Sequence, residues 1–174
     1  MIRDNLFSTC VYTLDNVLPE KDNNIIKKDL LKEWKKTVHP KWQSKSNLQL
    51  KNKYKSLCSQ ITKASSEIFK EQDLKYEKFE ITSMWANLLK TKENFHSHVH
   101  ANNYLSGVYY VETKNTEIHF FDPRPQASVI RPAVNNYTKL NSSFWWLPST
   151  ISIAFNIMFK GKLSSLKLKE YNEF

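Results

Sequence analysis

Glycine and cysteine are scarce in this sequence. The 174 residues include 2 Gly and 2 Cys. Gly107 and Gly161 cannot build a Gly-rich phosphate loop or a dinucleotide-binding fingerprint, so P-loop nucleotide hydrolysis and Rossmann-type cofactor binding are excluded. Cys10 and Cys58 lie at neither a CxxC nor a zinc-binding spacing, and we expect two reduced thiols rather than a disulfide framework.

Long hydrophobic runs are also absent. No apolar stretch approaches the length of about 20 residues that a membrane span needs, and residues 1–7 lack the apolar stretch of a secretory signal. We therefore expect a soluble, cytoplasmic protein with no membrane partner. The composition, 40% hydrophobic and 13% aromatic, excludes intrinsic disorder. A chain of this length predicts one domain.

Positive charge is plentiful but comes almost entirely from lysine. The net charge is +9, and the segment from Lys21 to Lys63 holds twelve Lys against three acidic residues. Arginine, which makes the bidentate contacts of specific nucleic-acid readers, occurs only at positions 3, 124 and 131. The basic segment therefore predicts either solvated helical faces or weak, non-specific binding of nucleic acid.

Residues 1–74 predict a first strand followed by helices. Residues 6–13 are rich in aromatic and β-branched side chains, which favour a strand. Apolar residues at helical spacing predict a helix over residues 23–36, ended by Pro40. A second apolar stripe, from Leu48 to Ile68, predicts another helix.

From residue 76 the hydrophobic period shortens to about two residues, which is typical of strands. Strands are predicted at residues 76–85, 104–111, 117–121 and 150–160. Residues 112–116 predict a hairpin turn that joins the second and third of these strands into a β-meander. Helices first and antiparallel strands afterwards indicate an α+β domain, with a sandwich or jelly roll over residues 75–162 and a tail over 163–174.

Three of the five histidines lie close together, between Asn94 and Asn103. Alternate residues of an extended segment project to the same side, so His98 and His100 can share a metal ion, and His96 points the same way. Neutral imidazole suits Fe, Zn, Cu and Ni alike. The spacing predicts a metal site without naming its metal, and an exposed polar loop is the alternative.

Five sequence blocks between residues 76 and 162 occur in a familiar order. They are Phe-Glu-Ile-Thr-Ser-Met-Trp-Ala-Asn at 79–87, His-Val-His at 98–100, Leu-Ser-Gly-Val-Tyr-Tyr-Val at 105–111, Phe-Asp-Pro-Arg at 121–124 and Ile-Ser-Ile-Ala-Phe-Asn at 151–156. This order resembles the 2-oxoglutarate-Fe(II) oxygenase family that is widespread in marine bacteria and phage. The resemblance implies a double-stranded β-helix, which is a jelly roll, with Fe(II) bound by His98 and His100 and with 2-oxoglutarate as cosubstrate.

The sequence departs from the family pattern after the Trp-rich residues 144–148. The family carries a further histidine there and an arginine directly before its last strand, whereas Thr150 stands at the arginine position here. An incomplete barrel and an impaired enzyme are therefore open alternatives. His96 and His119 are the candidates for a third metal ligand.

Other residues are candidates for cosubstrate binding. Either Tyr109 or Tyr110 would offer a hydroxyl donor, although a packed core tyrosine is the alternative reading. Arg124 would bind an anionic group or pair with Asp122. The set of candidate cosubstrate residues is Tyr109, Arg124, Ser152 and Asn156, the last two sharing the small polar face of the last predicted strand with Thr150.

Three functions are compatible with these patterns. The first is an Fe(II)- and 2-oxoglutarate-dependent oxygenase, a hydroxylase of unidentified substrate. The second is a catalytically inactive binding or structural protein of the same fold. The third is a basic module that binds nucleic acid without sequence specificity. An open barrel edge would also favour a homo-oligomer.

Overall fold

The computed structural model describes residues 9–35, 42–89, 96, 98–100, 103–112, 117–122, 133–136, 138, 144–148 and 151–160. Two α-helices and two short 3-10 turns occupy the first part of the chain, and strands occupy the rest. The elements are α1 (Glu20–Trp34), β1 (Trp42–Gln43), 3-10 turns at Leu48–Leu50 and Asn52–Tyr54, α2 (Lys55–Glu71), β2 (Lys78–Leu88), β3 (Leu105–Glu112), β4 (Glu117–Phe121), β5 (Phe144–Pro148) and β6 (Ile151–Lys160). Neither described helix has the length and hydropathy of a membrane span.

Helix α1 begins three residues before the predicted start. Pro19 occupies the N-cap position, and its carbonyl accepts hydrogen bonds from the backbone N–H groups of Asp22 and Asn23 at 3.0 and 3.1 Å. Glu20 and Asp22 place negative charge in the first turn, where the helix dipole favours it. The predicted end at residue 36 and the stop at Pro40 lie outside the described residues.

The second predicted helix is correct only from Lys55 onwards. The preceding residues form two 3-10 turns instead, and Leu50, counted among the apolar stripe, is 77% exposed. The buried positions of α2 are Leu57, Ile61, Ser65 and Phe69. These positions repeat every four residues, which keeps them on one helical face.

The predicted first strand is wrong over residues 9–13, which are described and carry no strand, while residues 6–8 lie outside the description. Within this coil Tyr12 is held by Gln72, whose side-chain amide donates to its hydroxyl at 3.2 Å. Tyr104 donates to the other side of the same amide at 3.0 Å. Strand propensity at 9–13 therefore does not lead to pairing here, and Tyr12 is fixed by a side-chain hydrogen bond instead.

The strands form two separate antiparallel sheets. The larger sheet has the order β1-β2-β6-β3, and β4 pairs with β5 in the smaller one. The predicted β-meander is therefore wrong, because β3 and β4 follow each other in the chain but lie in different sheets. Strand β6, the last in sequence, inserts between β2 and β3, and the described strands leave the larger sheet open rather than closed into a barrel.

The helices cover one face of the larger sheet. The core joins Ile26 and Leu30 of α1 to the alternating residues Met84, Ala86 and Leu88 of β2. A second part of the core is aromatic: the fully buried ring of Phe69 makes edge-to-face contacts with Tyr76, Phe79 and Tyr104 at centroid distances of 5.3, 4.9 and 5.7 Å. Such contacts add about 0.5–1.5 kcal/mol each to the area buried.

Polar contacts fix α1 against its neighbours. Asp29 accepts hydrogen bonds from Lys53 and from the hydroxyl of Tyr54, the latter at 3.2 Å. Burial alone would raise the pKa of Asp29, but the hydrogen bond and charge of Lys53 and the Tyr54 hydroxyl together lower it below 3.8. On the sheet side of the helix, Lys27 pairs with Glu112 of β3 at 3.0 Å.

Replacement of Asp29 by Asn is expected to lower the free energy of unfolding at neutral pH, because it removes the charge that Lys53 and Tyr54 bind. The expected loss is only about 1 kcal/mol, because these partners are partly exposed to solvent. Because the folded-state pKa is depressed, this contribution is present above the unfolded pKa and is lost as the pH falls through the folded value. Urea unfolding of Asp29→Asn and wild type from pH 7 to pH 3 should show the difference shrinking with acid. The exposed Asp15→Asn serves as the control, and a difference that is constant with pH would rule out the ionic contribution.

Position 107 has no room for a side chain, because the ring of Phe155 lies directly over Gly107. A Cβ atom at position 107 would come within 2.1 Å of the Phe155 Cζ atom. No side chain fits this gap unless the ring moves. The two residues are register partners on β3 and β6, so this contact sets how closely the strands pack.

The Gly107→Ala variant is expected to lose about 1–3 kcal/mol of unfolding free energy through overpacking. Thermal and urea unfolding measure the loss. Val108→Thr, a substitution at the next and partly exposed position, is the matched control and should stay near the wild type. Equal stability of Gly107→Ala and wild type would show that the Phe155 ring relocates freely.

Candidate metal and cosubstrate site

Strand β2 presents two different faces. Met84, Ala86 and Leu88 are buried against the helical layer, so Trp85 and Asn87 project from the opposite side of the sheet. We call this second side the open face of the larger sheet.

The strand register extends the open face over three strands. Trp85 pairs with Ala154 of β6, which in turn pairs with Val108 of β3. One step along, Asn87 and Tyr110 both pair with Ser152. Directly paired residues share a face in an antiparallel sheet. Ser152, a predicted cosubstrate residue, therefore has its register position on the open face. Asn156 has its position there as well, paired with Ser83 and Ser106.

The histidine pair lies beside the same face. The ring of His100 stacks on the indole of Trp85, with centroids 5.5 Å apart and planes at 28°. The rings of His98 and His100 have centroids 4.9 Å apart. The structure thus brings the two predicted metal ligands together, and it anchors one of them to β2 through Trp85.

Each imidazole has a distinct environment. His98 is exposed, and its Nδ1 lies 2.9 Å from the carbonyl oxygen of His96. Because a carbonyl can only accept, Nδ1–H is the donor, which in the neutral imidazole leaves the lone pair on Nε2 of His98. His100 is half-buried, and burial together with the neighbouring His98 lowers its pKa. Both rings are therefore suited to bind a metal through a neutral nitrogen.

The donor chemistry fits a ferrous ion, but the donor number falls short by one. Non-haem Fe(II) oxygenases hold their metal with three protein ligands on one face. Among the described residues no group of three His, Cys, Asp or Glu side chains is close enough to hold a metal ion. The described part of the chain thus brings two imidazoles together, one fewer than such a site requires.

Neither candidate for a third ligand forms a metal-binding group with the pair among the described residues. His96 is exposed and meets His98 through its backbone carbonyl. His119 is exposed on β4, in the smaller sheet, with its ring 6.5 Å from that of Phe121. Arg124 and Thr150 lie outside the described residues.

The two adjacent tyrosines of β3 lie on opposite faces of the sheet. Tyr109 pairs with Ile153 on the helical side, and its hydroxyl donates to Oδ1 of Asn23 in α1 at 2.9 Å. The amide of Asn23 in turn donates to the Val111 carbonyl at 3.0 Å. The structure therefore places the predicted cosubstrate residue Tyr109 away from the histidine pair, whereas Tyr110 belongs to the open face.

The family of this region follows from its sequence. Residues 83–162 match the model of the family described as "Putative 2OG-Fe(II) oxygenase". The resemblance predicted from the five blocks is confirmed over this segment, which contains both histidines, β3 to β6 and the second half of β2. The matched segment is therefore similar to 2-oxoglutarate-Fe(II) oxygenases, and that family implies a jelly-roll fold. No curated protein matches the chain in sequence.

Trp85 and Asn87 are the site residues that sequence reasoning missed as candidates. Both lie in the block at 79–87 that carried the resemblance. The signal that identifies them is their position on β2, because they alternate with the apolar residues Met84, Ala86 and Leu88.

The Tyr109 hydroxyl is predicted to stabilise the fold. Tyr109→Phe should lower the free energy of unfolding by about 1 kcal/mol. A double-mutant cycle with Asn23→Ala should give a coupling energy of about 0.5–1.5 kcal/mol, whereas additive effects would contradict a direct hydrogen bond. Titration of Tyr109→Phe with 2-oxoglutarate should match the wild type, since the hydroxyl faces the helices.

Proposed function

We propose that the chain is an Fe(II)- and 2-oxoglutarate-dependent oxygenase in which His98 and His100 are two of the metal ligands. The observation that carries the proposal is the His98–His100 pair, 4.9 Å apart at the open face, inside the segment that matches the family. When bound, the iron would couple the reduction of O2 to the oxidative decarboxylation of 2-oxoglutarate to succinate and CO2, with one oxygen atom inserted into a substrate C–H bond.

Neighbouring residues orient the two imidazoles before a metal binds. The carbonyl of His96 holds the His98 ring in one tautomer, so the same nitrogen is always offered to the metal. The indole of Trp85 restricts His100 by stacking and covers one side of its ring. Both contacts reduce the freedom that would otherwise be lost on metal binding.

The remaining parts of the proposal concern the fold and the cosubstrate. We assign the two sheets to the two layers of a double-stranded β-helix, with the described strands forming an unclosed version of it. Ser152 and Asn156 support a cosubstrate position on the open face because their register partners lie there. Arg124 stays a candidate for a carboxylate of 2-oxoglutarate, since guanidinium binds carboxylates in pairs of hydrogen bonds.

The competing function is an inactive binding or structural protein of the same fold. It is favoured by the donor count, because two imidazoles are all that the described residues bring together. The resemblance also places Thr150 where an arginine is expected. Non-specific nucleic-acid binding by the Lys-rich segment stays a prediction. In the structure Lys27 and Lys53 of that segment are paired with carboxylates.

The two functions are separated by loading the protein with Fe(II) and 2-oxoglutarate under argon. The proposal predicts a visible metal-to-ligand charge-transfer band, followed in air by release of succinate. His98→Ala and His100→Ala should each abolish the band, because a single imidazole holds iron too weakly.

His39→Ala, a histidine outside the family segment, is the matched control and should keep both signals. A band without succinate would indicate that the inactive alternative binds both cofactors. Absence of a band in the wild type, with correct folding shown by circular dichroism, would contradict the proposed site.

A further inference from the structure

A buried polar atom without a partner lies one position along β2 from Trp85. Oδ1 of Asn87 is shielded from solvent and makes no hydrogen bond in the described part of the chain. Leaving a buried carbonyl oxygen unpaired costs about 1–3 kcal/mol, and such exceptions in folded proteins call for a reason. Oε1 of Gln49 is likewise buried and unpaired among the described residues, but of the two only Asn87 lies on the open face beside Trp85.

A complementary donor lies beside the same strand. No hydrogen bond joins the His100 ring to another described residue, and its contacts are the stack on Trp85 and the His98 ring. His98, by contrast, has its second nitrogen fixed by the His96 carbonyl. Of the two proposed ligands, His100 is thus the one whose outer nitrogen has no acceptor among the described residues.

Trp85 is the residue that relates Asn87 to His100. Side chains two residues apart on one face of a strand are separated by about 7 Å, so Trp85 and Asn87 are direct neighbours on the open face. The His100 ring lies 5.5 Å from the indole ring. A metal ligand typically donates its second N–H to a carbonyl or carboxylate, which fixes the tautomer and raises the basicity of the nitrogen on the metal.

We infer that Asn87 is a positioning residue of the metal site, whose side-chain carbonyl accepts the outer N–H of His100 when that ring binds the metal. This inference rests on the proposed function, because it requires His100 to be a ligand. In the metal-free protein the side-chain carbonyl of Asn87 has no hydrogen-bond donor among the described residues, which costs folding free energy. This cost is recovered when the metal orients the His100 ring and its N–H donates to the carbonyl. The residue would act through His100 and contact neither O2 nor substrate.

The inference is tested by titrating Co(II), a spectroscopic substitute for Fe(II), into the wild type and two variants at position 87. Asn87→Leu keeps the size of the side chain and removes the acceptor, so its Co(II) dissociation constant should rise about 10- to 100-fold. Asn87→Asp keeps an acceptor and should bind Co(II) at least as tightly as the wild type. Gln43→Leu, the register partner of Asn87 on β1, is the control and should bind like the wild type.

Two further measurements separate positioning from a structural role. The metal-free Asn87→Leu protein should unfold at the same or a higher temperature than the wild type, because the substitution removes an unpaired buried oxygen. In the Zn(II)-loaded wild type, histidine ¹⁵N spectra should show one protonated and one metal-bound nitrogen for His100, with the proton exchanging faster in Asn87→Leu.

The outcomes that overturn the inference differ from those that overturn the proposed function. Failure of the wild type to bind Co(II) overturns both. Tight binding by the wild type with an unchanged dissociation constant in Asn87→Leu overturns the positioning role alone. Loss of 2-oxoglutarate binding in Asn87→Asp, with unchanged Co(II) affinity, would show that the Asn87 amide binds the cosubstrate. That result would also overturn the positioning role.

Discussion

The alternation of β2 between a helix-covered face and an open face is the constraint on which the candidate site depends. Met84 and Ala86 are fully buried beneath the helices, and this burial of apolar area is the main free energy that holds the strand in place. A shift of one residue would bury Trp85 and Asn87 and expose the apolar set. The hydrophobic contact on one face therefore determines what the other face offers to a ligand.

The histidine pair is positioned by the open face of the sheet. On an extended segment alone, His98 and His100 would be two polar residues near solvent, and Val99 between them is 91% exposed. The stack of His100 on Trp85 ties that segment to the sheet. The segment lies within the residues that match the oxygenase family, and the geometry brings two imidazoles together beside the open face.

Sequence patterns predicted elements better than they predicted pairing. The strands at 117–121 and 151–160 were predicted to within one residue, because alternation of apolar and polar side chains is local information. The meander failed because a turn-like sequence does not reveal that a distant strand, β6, will pair with β3 in place of β4. The strand predicted at 6–13 is wrong over its described part, 9–13, because residue propensity does not reveal whether a pairing partner is present.

The site was only partly predictable for a related reason. Spacing predicted that His98 and His100 could converge, and the structure brings their rings together. Tyr109 and Tyr110 could not be told apart, since adjacent residues of a strand face opposite ways and only the buried contact with Asn23 shows which side is which. The role of Asn87 needed the knowledge that its oxygen is buried and unpaired, which no sequence pattern contains.

X-ray absorption spectroscopy of the Fe(II)-loaded protein tests the central claim most directly, because it reports the ligands of the metal itself. The account predicts the multiple-scattering pattern of two imidazoles in the wild type and the loss of that pattern in His100→Ala, which keeps too few ligands to hold the iron. A spectrum that shows only oxygen ligands, unchanged by that substitution, would contradict it.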